Sequence, residues 1–87
     1  MLSKEITVNN PTGLHARPAS EFTRCAAKFH SGITVCKTGG QPVSAKSMIL
    51  VLSQSIVQGT TITITANGED ELAAIEALSL LVENLSE

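Results

Sequence analysis

Hydrophobic residues along this 87-residue chain recur with two different spacings. In some segments every second residue is apolar, which is typical of a strand with one buried face. In others the apolar residues recur every three or four positions, as on a helix that buries one stripe. The two-residue spacing joins Ile6 to Val8, Ile33 to Val35, and Ile62 to Ile64. The two patterns alternate along the chain and predict the element order βαββαβα.

Turn and capping residues place the boundaries of these elements. The predicted strands are residues 5–8, 33–35, 41–43 and 60–65. The first helix is predicted to begin near His15 and to end by Ser31-Gly32, and Ser47 is predicted to cap a short helix through Ser53. A last helix follows the Asn67-Gly68 turn, with Glu69, Asp70 and Glu71 in its first turn. Its predicted buried stripe is Ala74, Ile75, Leu78, Leu81, Val82 and Leu85.

This order predicts an α+β fold in which a four-stranded antiparallel sheet carries three helices on one face. Such an open-faced sandwich is a relative of the split βαβ arrangement. Pro42 cannot donate a ladder hydrogen bond, so its strand is predicted at a sheet edge. With no linker or repeat, residues 1–87 are predicted to form one domain.

Composition and charge exclude several functions. The net charge of −2, with 6 basic residues, is unsuited to nucleic acid, which is bound by clustered Lys and Arg. The longest aliphatic run, Met48–Leu52, is too short to span a bilayer, so no membrane insertion is expected. Cys25 and Cys36 lack a redox or disulfide spacing and predict reduced thiols in a cytoplasmic protein. His15 and His30 show no metal-ligand spacing, and neither a metal nor a cofactor is expected.

The most informative segment is Gly13-Leu14-His15-Ala16-Arg17-Pro18-Ala19-Ser20, where a strand gives way to a helix. Gly13 can adopt a positive φ, and Pro18 is tolerated only in the first helical turn. The backbone N–H groups of that turn have no acceptors within the helix, and the positive end of the helix dipole lies beside His15. Arg17 can form paired hydrogen bonds to an oxyanion there. The segment therefore predicts an anion site with an imidazole nucleophile.

The segment Gly13–Ala19 resembles the active-site motif of HPr, the histidine-containing phosphocarrier family of the bacterial sugar phosphotransferase system. A second stretch, Ser44-Ala45-Lys46-Ser47 followed by Met48-Ile49-Leu50, resembles the second helix of that family and its regulatory serine. The match runs from about Ile6 to about Leu85. The resemblance implies a carrier more than an enzyme.

In that family a phosphoryl group from phosphoenolpyruvate reaches the histidine through Enzyme I and passes to the IIA unit of a sugar permease. Carried over, the resemblance makes His15 the accepting residue, with Ala16 and Arg17 completing the phosphate site. The family uses the Nδ1 nitrogen, whereas the residues alone leave both ring nitrogens open.

Donor and acceptor must dock beside the histidine in turn. The resemblance implies a partner surface, and small size favours a monomer. Five successive aliphatic residues cannot all face inward from one helix, so part of 48–52 is expected on the surface. The implied interface consists of Ala16, Arg17, Ser20, Met48, Ile49, Leu52 and Ile56.

Ser47 supports two interpretations of similar weight. It is a good N-cap, worth about 1 kcal/mol to its helix. By resemblance it is also the target of HPr kinase/phosphorylase, and the implied partners include that enzyme and a catabolite-control transcription factor. The added charge would lie favourably at the helix terminus and would disturb the apolar surface beside it.

Two alternatives stay open at this point. A nitrogen-branch paralogue of HPr would keep the histidine and serve regulatory acceptors. A ferredoxin-like binding module could share the βαββαβ pattern. However, a metallochaperone needs paired cysteines and an RNA-binding sheet needs exposed aromatic residues, and the chain has neither.

Overall fold

Alternating Ile and Thr residues form the centre of a four-stranded antiparallel sheet. In the computed structural model, which describes residues 1–86, the strands are β1 (Leu2–Thr7), β2 (Gly32–Lys37), β3 (Val43–Ser44) and β4 (Thr61–Asn67). The helices are α1 (Ala16–Ala27), α2 (Met48–Ser53) and α3 (Glu71–Glu83). The order βαββαβα is confirmed; residue 87 of the predicted domain lies outside the described part.

The strand order is β1-β4-β2-β3, and every neighbouring pair is antiparallel. β4 therefore lies between β1 and β2, as in a split βαβ unit. Ile62 pairs with Ile6 and Ile64 pairs with Val35, and all four side chains lie on the helix-covered face. The threonines of β4 lie on the opposite face, where Thr65 and Ser3 hydroxyls are 2.9 Å apart. The predicted open-faced sandwich is confirmed.

The strand boundaries differ from the prediction where pairing extends past the alternating residues. β4 continues to Asn67 because Ala66 and Asn67 pair with Ile33 and Gly32. β3 comprises Val43 and Ser44 and lies at the sheet edge, but Pro42 precedes it. Pro has no N–H to contribute to a ladder, so regular pairing begins one residue later.

The core lies between the sheet and the helices. Phe22 of α1 is completely buried, and Ile75, Leu78 and Val82 of α3 are buried as predicted, whereas Leu81 and Leu85 are only partly buried. Ser79 is also buried, and its hydroxyl donates to the carbonyl of Ile75 at 2.6 Å. This hydrogen bond lets a polar residue occupy a core position that hydrophobic spacing does not reveal. Among residues 1–86 no helix has the length and apolarity needed to cross a membrane.

Asp70 joins the loop after α1 to the start of α3. Its carboxylate accepts the backbone N–H of His30 at 2.8 Å and that of Ser31 at 2.9 Å, together with the Ser31 hydroxyl. The Ser31 hydroxyl, followed by the His30 N–H, lowers the pKa of Asp70 from 3.8 to about 2. Asp70 is the N-cap residue of α3, and its side chain binds the neighbouring loop. Glu69, Asp70 and Glu71 were predicted in the first turn of this helix, but only Glu71 lies there.

We expect Asp70 to make the protein more stable at neutral than at acid pH. The folded protein holds the Asp70 proton less tightly than the unfolded chain, so the contribution is present above pH 3.8 and is lost as the pH falls through about 2. At neutral pH the melting temperature of Asp70→Asn should be lower than that of the native protein. The difference between the two melting temperatures should shrink as the pH falls from 3.8 to about 2. Exposed Glu69→Gln is the control. A gap that does not change with pH would contradict the assignment.

Candidate functional site

His15 lies where the loop after β1 meets α1. It is the N-cap residue of α1, with an extended backbone (φ −130°, ψ 150°), and its side chain is exposed and forms no capping hydrogen bond to the helix. The next residue, Ala16, has a left-handed φ of 48°. That conformation costs an L-residue about 1–2 kcal/mol, and such residues concentrate at functional sites. The predicted start of the helix is confirmed.

The loop that carries His15 is held against the segment after α2. The Leu14 N–H donates to the Ile56 carbonyl at 3.0 Å, and the Leu14 side chain is buried. Gly13 has the predicted positive φ, 63°, and a Cβ there would lie 2.2 Å from the Ile56 oxygen. The Asn10 side-chain amide also donates to the Gly13 carbonyl at 2.8 Å. His15 is therefore mounted on a fixed backbone.

Beside His15 lies a cleft of about 260 Å³ between this loop and the end of α2. No acidic residue among positions 1–86 lines this cleft, so none of those side chains repels an anion there. Thr12 and Ser55 supply hydroxyl groups to the wall and were not predicted as site residues. The cleft is lined by Thr12, Leu14, His15, Leu52, Ser55, Ile56 and Val57.

Arg17 is exposed in the first turn of α1, two residues after His15, while Pro18 beside it is buried. A helix N-terminus attracts anions through its outward N–H groups and its dipole. His15, Ala16 and Arg17 thus combine an accessible imidazole, the positive end of a helix and a guanidinium. The arrangement suits an anion held next to a nucleophilic ring.

An apolar surface lies on α2, as expected for part of 48–52. Met48, Ile49 and Leu50, here called the α2 patch, are 37%, 79% and 41% exposed, and Val51 is buried. Leu52 is partly buried and Ser20 is half-buried. Ile56 is only 2% exposed, so its side chain supports the surface from within and offers no open contact area. Leu50 also belongs to the α2 patch, although it was not among the predicted interface residues.

Ser47 is the N-cap of α2, as predicted. Its hydroxyl oxygen accepts the Leu50 N–H at 3.3 Å. The preceding Lys46 donates through Nζ to the Phe29 carbonyl at 2.8 Å, which fastens this corner to the end of α1. The start of α2 is therefore fixed on both sides of Ser47.

Cys25 and Cys36 are free thiols, and across residues 1–86 no group of three or more His, Cys, Asp and Glu side chains is placed to hold a metal ion.

Comparison with known proteins decides the family. Residues 2–84 match the family described as PTS HPr component phosphorylation site. The chain belongs to the HPr family. It is 44% identical over 85 residues to the phosphocarrier protein HPr of Haemophilus influenzae, covering 98% of this chain and 99% of that protein. The HPr-like protein Crh of Halalkalibacterium halodurans is 42% identical over 83 residues, with 95% and 98% coverage.

Solved structures agree with this assignment. HPr-C-His from Thermoanaerobacter tengcongensis superposes with a TM-score of 0.92 at 43% identity, covering 95% of this chain and 92% of that one. HPr from Bacillus anthracis gives 0.88 at 40% identity, with 92% and 94% coverage. The chain thus has the fold of the HPr phosphocarriers, and the ferredoxin-like binding module is set aside.

The cleft beside His15 contains two residues, Thr12 and Ser55, that the sequence analysis did not predict. Thr12 directly precedes the motif and would have been found by extending the motif by one residue. Ser55 carries no signal in the sequence, because its place in the cleft depends on where α2 ends and on the bond between Leu14 and Ile56.

Proposed function

We propose that this protein carries a phosphoryl group on His15, receiving it from Enzyme I and passing it to the IIA units of sugar permeases. The observation that supports this most is the exposed imidazole at the N-terminus of α1, mounted on the loop that Leu14 bonds to Ile56. The description of the matching family refers to a phosphorylation site, and the relative from Haemophilus influenzae is called a phosphocarrier protein. The relatives above are called HPr or Crh, and no observation favours the nitrogen branch.

In each half of the relay one bond forms and one breaks. A ring nitrogen of His15 attacks phosphorus through its lone pair while the bond from phosphorus to the donor breaks; passing the group on reverses these roles. The phosphoramidate keeps a high transfer potential because the imidazole is a good leaving group. Arg17 and the start of α1 stabilise the oxyanions, by about 1.5–3 kcal/mol for a charge-assisted hydrogen bond and about 0.3–1 kcal/mol for the dipole.

Arg17→Ala should slow phosphoryl transfer about tenfold or more without unfolding the protein. Removing a charge-assisted bond of about 1.5–3 kcal/mol accounts for this factor, and the side chain is exposed. The rate is measured with phosphoenolpyruvate and Enzyme I by rapid quenching. Arg24→Ala, an exposed arginine in the last turn of the same helix, is the matched control. Equal rates in both variants would exclude a role for Arg17.

The α2 patch is proposed as the docking surface, together with Ala16, Arg17, Ser20 and Leu52. Apolar side chains that lie beside the anion site can bind donor and acceptor in turn, and a contact of about 1,200 Å² or less would release each quickly. We further propose that residues 1–87 act as one domain, as a monomer in the cytoplasm. A dimer is named for an HPr of Thermoanaerobacter tengcongensis, so sedimentation would test the monomer.

Ser47 is proposed as a regulatory site for HPr kinase/phosphorylase, with a catabolite-control transcription factor as a further partner of the modified form. Its position supports this, because a phosphate at the α2 N-terminus would lie next to Met48 of the α2 patch. Docking would then be blocked by charge while the fold stays intact.

Ser47→Ala and Ser47→Asp should separate capping from regulation. Alanine removes the cap and should cost about 1 kcal/mol of stability with little change in transfer; aspartate is itself a good N-cap and should retain stability. Its charge should nevertheless raise the KM for Enzyme I. Urea unfolding and transfer kinetics are the two measurements, and an unchanged KM in Ser47→Asp would exclude the charge mechanism.

A further inference from the structure

The residue Ser55 combines a strained backbone with a position in the His15 cleft. It follows Gln54, the C-cap of α2, and its N–H donates to the Leu52 carbonyl at 3.2 Å. Its φ is 53°, in the left-handed region that favours glycine. Serine at such a position costs stability that glycine would not cost. The need to end α2 therefore does not by itself explain why residue 55 is a serine and not a glycine.

Ser55 belongs to the cleft wall that also contains His15. Ser55 is exposed and lines the same cleft as His15. Within residues 1–86 its hydroxyl makes no hydrogen bond, so the O–H is available as a donor. Of residues 1–86, no acidic residue contributes to the wall of the cleft, so an anion there would meet this donor without repulsion from those residues.

The backbone holds Ser55 and His15 at a fixed relative position. The hydrogen bond between the Leu14 N–H and the Ile56 carbonyl joins the residue before His15 to the residue after Ser55. Close packing of Gly13 against Ile56 and Val57 keeps the two segments together. A hydroxyl at position 55 therefore does not depend on a mobile loop to reach the cleft.

We propose that Ser55 is a phosphoryl-binding residue whose Oγ–H donates a hydrogen bond to an oxygen of the phosphoryl group carried on His15. The proposal rests on the proposed function. No bond to Ser55 forms or breaks: phosphorus stays on the imidazole nitrogen and the serine proton stays on Oγ. The hydroxyl holds the phosphoryl oxygens between transfers and shields phosphorus from water.

Three substitutions separate the hydroxyl from the backbone strain. Ser55→Ala removes the donor and keeps the strain, whereas Ser55→Gly removes both. Ser55→Asn supplies an amide N–H donor in a residue that tolerates the left-handed conformation. Each protein is phosphorylated chemically with phosphoramidate, which transfers a phosphoryl group to imidazole and releases ammonia, so that partner docking plays no part.

The lifetime of the phosphohistidine in the isolated protein is followed by 31P NMR. Loss of one hydrogen bond should shorten it about three- to tenfold in both Ser55→Ala and Ser55→Gly, although glycine should raise the melting temperature and alanine should not. Ser55→Asn should restore most of the lifetime. Native lifetimes in the alanine and glycine variants, or a lifetime in Ser55→Asn as short as in Ser55→Ala, would overturn the proposal.

Failure of the proposed function gives a different result. If the native protein acquires no acid-labile phosphoryl group on His15 from either phosphoramidate or Enzyme I, both proposals are overturned. If the native protein is labelled normally and the variants keep its lifetime, only the role of Ser55 is lost.

Discussion

His15→Ala is expected to abolish phosphoryl uptake completely while leaving the fold unchanged. The imidazole is the only nucleophile proposed at the site, so its removal takes away the atom to which phosphorus binds and not merely a stabilising contact. The His15 side chain is exposed and makes no capping hydrogen bond, so the melting temperature should stay close to that of the native protein. Intact-protein mass spectrometry after incubation with phosphoenolpyruvate and Enzyme I measures the adduct.

His30→Ala is the matched control for this experiment. His30 is also exposed, and only its backbone N–H, which alanine retains, bonds to Asp70. This variant should therefore take up one acid-labile phosphoryl group like the native protein. An adduct on His15→Ala, or its loss in His30→Ala, would place the accepting residue elsewhere.

The sequence predicted those features that depend on neighbouring residues. Gly13 and Pro18 located the start of α1, because glycine can adopt the positive φ needed at the turn and proline is tolerated only in the first helical turn. Ser47 located the start of α2 because its oxygen accepts the N–H three residues on. The alternation of isoleucine and threonine likewise identified β4 and its buried face.

Features that depend on distant contacts were not accessible in the same way. Ile56 was assigned to the partner surface, yet it lies beneath the His15 loop because its carbonyl binds the Leu14 N–H. The same contact places Ser55 in the wall of the cleft. Asp70 lies just before the first turn of α3, and its carboxylate binds the loop at Ser31. In each case hydrogen bonds between segments far apart in the chain determine where the residue lies, and these bonds cannot be predicted from the spacing of nearby residues.

The contact between the two sides of the cleft also accounts for the largest stability effect that we expect. Gly13→Ala introduces a Cβ that would lie 2.2 Å from the Ile56 oxygen and 2.7 Å from the Val57 Cα, both backbone atoms that cannot rotate away. It also places alanine at a φ of 63°. Because clash and backbone strain act together, we expect a loss of about 3–5 kcal/mol, which is a large share of the stability of a small domain.

Gly39→Ala isolates the strain from the clash. Gly39 also has a positive φ, 83°, but a Cβ there meets nothing within 4 Å. Its cost should therefore be limited to the left-handed backbone, about 1–2 kcal/mol. Urea unfolding gives both losses, and faster amide exchange at Leu14 in Gly13→Ala alone would show that the bond to Ile56 has been broken. Equal losses of unfolding free energy in the two variants would mean that the Gly13 loop can move to accommodate the added Cβ. In that case the backbone would not hold His15 and Ser55 at a fixed relative position across the cleft.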